Sequence, residues 1–229
     1  MTRLFSQKNP MQLARKLKSS TSGVAMVEFA FSAPIVIALG MLGAETANFA
    51  ITHMQISQLA MQVADNASRV GDDEVLAARR VFEADINDTL VGGERLGETI
   101  DIYENGRVII SSLQQNDTGG QEIRWQRCRG AKNHVSSYGV EGDGASDNSF
   151  PGMGEAANRI TASPGSAVMF VEVAFTYDPL TPFEFFGDTE INYTAAFNIR
   201  DDRDLDQIHP GTPAQPQALC NVFSGARPT

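Results

Sequence analysis

Residues 24–44 read VAMVEFAFSAPIVIALGMLGA. A helix rises 1.5 Å per residue, so this run is about 31 Å long, close to the thickness of bilayer hydrocarbon. Residues 1–23 contain Arg3, Lys8, Arg15, Lys16 and Lys18 and no acid. A basic flank on one side of an apolar span marks the cytoplasmic side, which places residues after about 45 outside the cytoplasm. Two other readings stay open at this point. The run is also compatible with a buried helix of a soluble domain, or with a secretory signal cut near Leu42-Gly43-Ala44-Glu45.

The charge distribution agrees with the topology. The formal net charge is -10, and setting aside the five positive charges of residues 1–23 leaves residues 24–229 at -15. An acidic body suits water and argues against nucleic acid, whose phosphates require a basic face. Hydrophobic residues make up 42% of the chain, enough for a core. The two cysteines, Cys128 and Cys220, form no CxxC pair, so no four-cysteine metal site is suggested. In an oxidising compartment they are expected to pair. Free buried thiols and a bridge between subunits remain the alternatives.

Two residues are out of place in a plain anchor. A carboxylate such as Glu28 costs on the order of 2.5–3.5 kcal/mol inside a span, unless it sits at headgroup level or meets a partner. Pro34 removes a helical hydrogen bond in mid-span and kinks the helix unless neighbours compensate.

The boundary run Gly23-Val24-Ala25-Met26-Val27-Glu28-Phe29 resembles a type IV prepilin processing site: glycine, four small or apolar residues, Glu and an aromatic, after a basic leader. The wider run GVAMVEFAFSAPIV resembles the TadE-like pseudopilins of tight-adherence (Flp-type) pilus systems, on Val27, Glu28, Phe29, Ala30 and Pro34. Phe29 stands where major pilins of such systems carry Tyr. The resemblance covers roughly residues 20–70. It implies cleavage by a prepilin peptidase between Gly23 and Val24, and an assembly role for Glu28 opposite a neighbouring subunit's new N-terminal amine. It also implies other pilins and pseudopilins as partners, with the bacterial inner membrane as the site of insertion.

Helical spacing continues past the span. Phe49, Ile56, Val63 and Val70 recur every seven residues with Leu59, Ala60 and Ala67 on the same face, and Ala47, Ile51, Met54 and Met61 form a second apolar face. Such spacing suits a helix packed along its length, either on the protein's own outer domain or, with heptad geometry, on neighbouring subunits in a filament, or on both at different depths. Gly71 is expected to end this helix. A second helix is expected near 73–90, with Asp72 and Asp73 at its start, Val75, Leu76, Phe82, Ile86 and Leu90 as its stripe, and Gly92-Gly93 closing it.

Strands follow. Ile100–Glu104 and Arg107–Ile110 flank Asn105-Gly106, which predicts a hairpin with Glu104 facing Arg107. A turn is expected at 117–120 and a strand at 122–126. Residues 130–165 are rich in Gly, Ser, Asp and Asn and read as a long flexible insertion. Val168–Tyr177 and Ile191–Ile199 alternate strictly, which fits an antiparallel sheet with one face covered by helices. The run from Asp201 to Asp206 is expected to leave the sheet into water.

The organisation expected is therefore α+β: a basic cytoplasmic leader at 1–23, a long helix at 24–70 that spans the membrane over 24–44, and an extracytoplasmic, periplasmic domain at 71–229. Glu141, Asp143, Asp147 and Asn148 do not follow calcium-loop spacing, and His53, His134 and His209 lie in no metalloprotease, hydrolase or nucleotide motif. No metal or cofactor and no enzymatic activity is expected. The function expected is structural, in assembly of an adhesive pilus. The competing reading is a single-pass anchored periplasmic binding or enzyme domain.

Overall fold

The computed structural model describes residues 10–19, 22–71, 79–182, 185–200 and 203–228. It divides into two compact units, residues 1–47 and 48–229. In the first, α1 covers Pro10–Ser19 within the basic leader, with Lys16 and Lys18 in its last turn, where the helix dipole favours cations. The helix α2, Ser22–Ala67, begins here and extends into the second unit. Along residues 24–44 its side chains are exposed, apart from half-buried Ala33 and Met41.

The second unit is built on a four-stranded antiparallel sheet in the order β2-β1-β3-β4. The strands are β1 Gly106–Gln115, β2 Gln121–Arg129, β3 Val168–Thr176 and β4 Glu190–Asn198. One face packs on helices. Ile56, Leu59, Ala60, Val63, Ala64 and Ala67 of α2 join Ile86 and Leu90 of α3 (Glu83–Leu96) over Val108, Ile110, Val171, Val173 and Phe175. This is the seven-residue stripe read from the sequence. Tertiary packing of that stripe holds the outer half of α2, because an isolated helix gains little from propensity alone.

The opposite face is covered too, which differs from the one-sided sheet expected. Leu113, Ile123, Val168 and Phe170 pack with Met153 and Ala162, backed by Tyr138, Phe150 and Ile160. The last five come from the 130–165 segment, so the few large apolars of that loop form a second small core. Strands β1 and β3 are consequently buried along almost their whole length.

Three local expectations are corrected. The hairpin at Asn105-Gly106 does not form: Ile102–Asn105 is a short helix, α4, and Gly106 opens β1. The hairpin lies one turn later, where the Asn116 side-chain oxygen accepts from the backbone N–H of Thr118 and Gly120 and joins β1 to β2. This is the turn expected at 117–120, whereas at Asn105-Gly106 the burial of Ile102 and Tyr103 coils the chain ahead of β1. The helix that carries Ile86 and Leu90 starts at Glu83, and residues 79–82 ahead of it are not helical, because Arg79 and Phe82 make strand-like bridges to Arg203 and His209. Asp72, Asp73, Val75 and Leu76 lie outside the described residues. The same helix runs through Gly92-Gly93 to Leu96. A side chain at Gly93 would press on the Tyr103 hydroxyl at 3.0 Å and Val63 at 3.2 Å, so the glycine is there for close packing.

The ends of α2 and β4 also differ from expectation. The helix stops at Ala67, three residues short of the stop expected at 70, and buried Arg203 donates to the carbonyls of Ala67 (3.2 Å) and Ser68 (2.7 Å). A cation on the terminal carbonyls satisfies orphan acceptors and suits the dipole. Of the run expected to leave the sheet into water, Asp201 and Asp202 lie outside the described residues and Asp206 is exposed, whereas Asp204 turns inward: its N–H donates to Arg79 O, and its carboxylate meets His209 at 2.8 Å.

Candidate functional site

The first turns of α2 carry the residues singled out from the sequence. Gly23, Val24, Val27, Glu28, Phe29 and Ala30 are all exposed. Phe29 is 70% exposed and Phe31 75%. A helix with large apolar groups exposed all round is unsuited to water and suited to lipid. By length and composition α2 is able to cross a membrane.

The Gly23–Val24 bond lies in the first turn of α2, which starts at Ser22. The first four N–H groups of a helix have no intrahelical partner, and glycine weakens helix by about 1 kcal/mol against alanine. Extending this bond for a protease thus costs fewer hydrogen bonds than extending any bond deeper in the helix. Glu28 lies four residues beyond Val24 on the same face. Among the described residues it has no ion-pair or hydrogen-bond partner. Pro34 stands within the helix and leaves the Ala30 carbonyl without its usual donor. Nearby hydroxyls are satisfied within the helix: Ser32 donates to Phe29 O at 3.4 Å and Thr46 to Leu42 O at 2.8 Å.

In the second unit the two cysteines are joined. Cys128 on β2 and Cys220 in the tail form a disulfide with S–S 2.03 Å, closing a loop with a sequence separation of 92. Around it lies an arrangement that sequence reasoning missed. Arg107, expected on a turn facing Glu104, is 1% exposed and donates to the carbonyls of Gly130 (2.9 Å), Val222 (3.1 Å) and Cys220 (2.6 Å). Its guanidinium lies over the Phe223 ring at 4.2 Å. Burial lowers its pKa. The buried cation thus clips the tail beside the disulfide.

Two further buried arginines were not legible. Arg127 on β2 meets buried Glu83 of α3 at 3.0 Å and Glu141 of the loop at 3.2 Å. Burial pulls the Arg127 pKa down, but the bonds and charge of Glu83 and Glu141 raise it above its ordinary value. Arg129 bonds Glu94 of α3 at 2.9 Å and lies over the Tyr103 ring at 4.2 Å. The hydrogen bond from Arg129 holds the Glu94 carboxyl below its ordinary pKa, with Arg227 adding to the effect. Burial pushes the Tyr103 hydroxyl upward, and it donates to Leu90 O at 2.6 Å. The only legible trace of these pairs was a strand, IRWQRCR, with more arginines than an ordinary edge needs.

Several other polar groups bond one another within the domain. His134 Nε2 and the Ser136 hydroxyl both bond buried Glu172, at 2.6 and 3.0 Å, so the serine's proton is directed at the carboxylate and not at the imidazole. In the acidic loop, Glu141 accepts from Gln126 N, Asp143 from Val140 N and Asp147 from Ser149 N. Among the described residues no group of three or more His, Cys, Asp or Glu is placed to hold a metal ion.

These features define a class: an α+β domain carried on one long helix whose apolar half suggests a single-pass membrane anchor. One family likeness is confined to the helix. Residues 23–69 match the model of the TadE-like protein family. The match covers the span and the packed extension of α2, about a fifth of the 229 residues. No curated protein and no solved structure gives a significant match to the chain.

Proposed function

We propose that this protein is a minor pilin, or pseudopilin, of a tight-adherence pilus used for surface attachment, and that its role is structural. Its anchor lies in the bacterial inner membrane with the N-terminus cytoplasmic and the α+β domain periplasmic. A prepilin peptidase cuts after Gly23, and the matured helix enters an assembly with other pilins and pseudopilins of the same machine. The observation that carries this reading is Glu28: an exposed carboxylate within an apolar, TadE-like helix, with no partner among the described residues.

The physical argument is one of compensation. A carboxylate facing lipid is costly, and so is the new ammonium at Val24. Two helices brought side by side place the Glu28 of one against the Val24 amine of the other, and each charge offsets the other's desolvation. Isolated subunits lack that relief, which favours assembly over dispersal in the bilayer.

The test is Glu28→Leu in cells carrying the pilus machinery. Removing a lipid-facing charge leaves membrane insertion at or above the wild-type level, while piliation falls at least ten-fold. Normal piliation by this variant contradicts the assembly role and leaves Glu28 as a headgroup-level residue.

A further inference from the structure

The β3–β4 loop, residues 178–189, lies at the end of the domain where the chain enters it. Asn48 Nδ2 donates to the Tyr177 hydroxyl at 2.8 Å, just before the loop. Phe186, within the loop, stacks on Phe49 with ring centroids 4.7 Å apart, and Phe49 meets Tyr177 edge-on at 5.0 Å. Further along α2, His53 reaches Tyr193 of β4, and Asp65 reaches Arg200 just past that strand. Helix and strand run side by side, and the loop belongs to the Asn48 end. The β1–β2 turn at 116–120 belongs to the other end, because Gly106 pairs with Phe175 and Leu113 with Val168.

Asn48 stands four residues past Ala44, where the apolar run stops. Four residues rise about 6 Å as helix and reach no more than about 14 Å extended. The headgroup layer of one leaflet is about 5–7 Å thick, so a loop tied to Asn48 and Phe49 lies within it or next to it. The loop has the composition for that place. It reads DPLTPFEFFGDT. Leu180 is 66% exposed and Phe185 49%, with Pro182 exposed between them. Large apolar groups held out together on one short loop are unsuited to water and suited to an interface. Asp178, Glu184 and Asp188 are its only charges, all negative. Attraction to anionic lipid therefore does not hold such a loop, whereas apolar insertion does.

We propose that the β3–β4 loop sets Leu180 and Phe185 into the lipid interface beside the anchor, as a second attachment of the domain to the same membrane. Phe49, Tyr177 and Phe186 form the aromatic block behind them. A second contact limits how far the domain tilts on its helix. The inference rests on α2 being a membrane anchor and is independent of pilus assembly.

The experiment uses the full chain in phosphatidylcholine vesicles containing lipids with a nitroxide on the headgroup or on the acyl chain. Leu180→Cys, Phe185→Cys, Ile37→Cys and Asp117→Cys each receive a fluorophore under non-reducing conditions, which spare the Cys128–Cys220 bond. Asp117 is exposed in the distal β1–β2 turn, and Ile37 reports on the anchor. The expected result is quenching at Ile37, and quenching at Leu180 and Phe185 about five-fold above that at Asp117. Adding phosphatidylglycerol gives no increase at the loop. Leu180→Asp lowers the quenching of the dye on Phe185→Cys about five-fold, because insertion is lost. Quenching at Ile37 but at neither loop position overturns the proposal, keeps the anchor and leaves the patch to a neighbouring protein. Quenching at none of the four positions removes the anchor reading and the proposal with it. Loop quenching that needs phosphatidylglycerol and disappears in salt also overturns it, because the contact is then electrostatic and made by other residues. Quenching at Phe185→Cys that ignores Leu180→Asp overturns it as well.

Discussion

Residues 24–44 and residues 48–67 belong to the same helix, yet their side chains face different surroundings. In the first stretch Val36, Ile37 and Leu39 are 60% exposed or more, and apolar residues occupy every side. In the second, Ile56, Val63, Ala64 and Ala67 are fully buried under the sheet, and residues such as Gln58, Gln62 and Asn66 line the far side. The lesson lies in periodicity. An all-round apolar helix has no preferred protein partner and requires an apolar solvent, whereas a striped helix requires one packed face. The change from one pattern to the other near residue 45 divides membrane anchor from domain. It also explains why a family match limited to residues 23–69 includes both: the matched unit is a helix that passes from one solvent regime to the other.

That comparison is open to measurement. The largest expected effect is confined to the domain. Replacing Cys128 and Cys220 together by Ser opens a loop with a sequence separation of 92, and costs up to about 4–5 kcal/mol of domain stability in the chain-entropy model. Denaturant unfolding with and without reductant reads the loss, and membrane insertion is unchanged. A domain equally stable after both replacements shows that the Arg107 clip alone holds the tail.

The next effect contrasts the two stretches directly. Ile56→Ala, at a fully buried position, costs about 2–5 kcal/mol. Ile37→Ala, at a position 60% exposed, changes domain stability by less than about 0.5 kcal/mol. Both are read by urea unfolding of the full chain in detergent. Equal losses at the two sites would mean that the anchor half is also packed on protein, and the division near residue 45 would fail.

The smallest effect is electrostatic. Glu94 is held below its ordinary pKa, chiefly by the hydrogen bond from Arg129. A carboxyl with a depressed folded-state pKa contributes stability above its unfolded value and loses it as pH falls through the folded value. Domain stability should therefore decline below about pH 4.5 through this group, and Glu94→Gln should flatten that part of the profile. Glu94 is 38% exposed, so solvent screening keeps the effect under about 1 kcal/mol. Equal acid sensitivity in wild type and variant assigns the decline to other carboxylates.

The comparison also shows where sequence reading succeeds. The span, the α2 stripe, strands β3 and β4 and the cysteine pair were legible because each rests on a period or on a choice with few alternatives. The misread elements were set by long-range partners. Asn105-Gly106 promised a hairpin, but Tyr103 and Ile102 are drawn into the core and coil the chain ahead of it. Gly92-Gly93 promised a helix end, but Gly93 allows contact with Val63 and Tyr103. Arg107 was read as facing Glu104, and Arg127 and Arg129 were given no role, because the carbonyls and carboxylates that receive them lie up to 115 residues away along the chain. In the candidate site, Gly23, Val24, Glu28 and Pro34 carry a short local pattern and needed no tertiary information. The tail clip around Cys220 needed all of it.

The central claim is that α2 is a prepilin-type anchor whose apolar half lies in the membrane and is matured at its first turn. The most direct measurement is the N-terminal sequence of the protein recovered from membranes of cells that co-express a prepilin peptidase. The account predicts a chain beginning at Val24, with Glu28 as its fifth residue. A chain that retains Met1, or one that begins near Glu45 after signal-type cleavage, contradicts it.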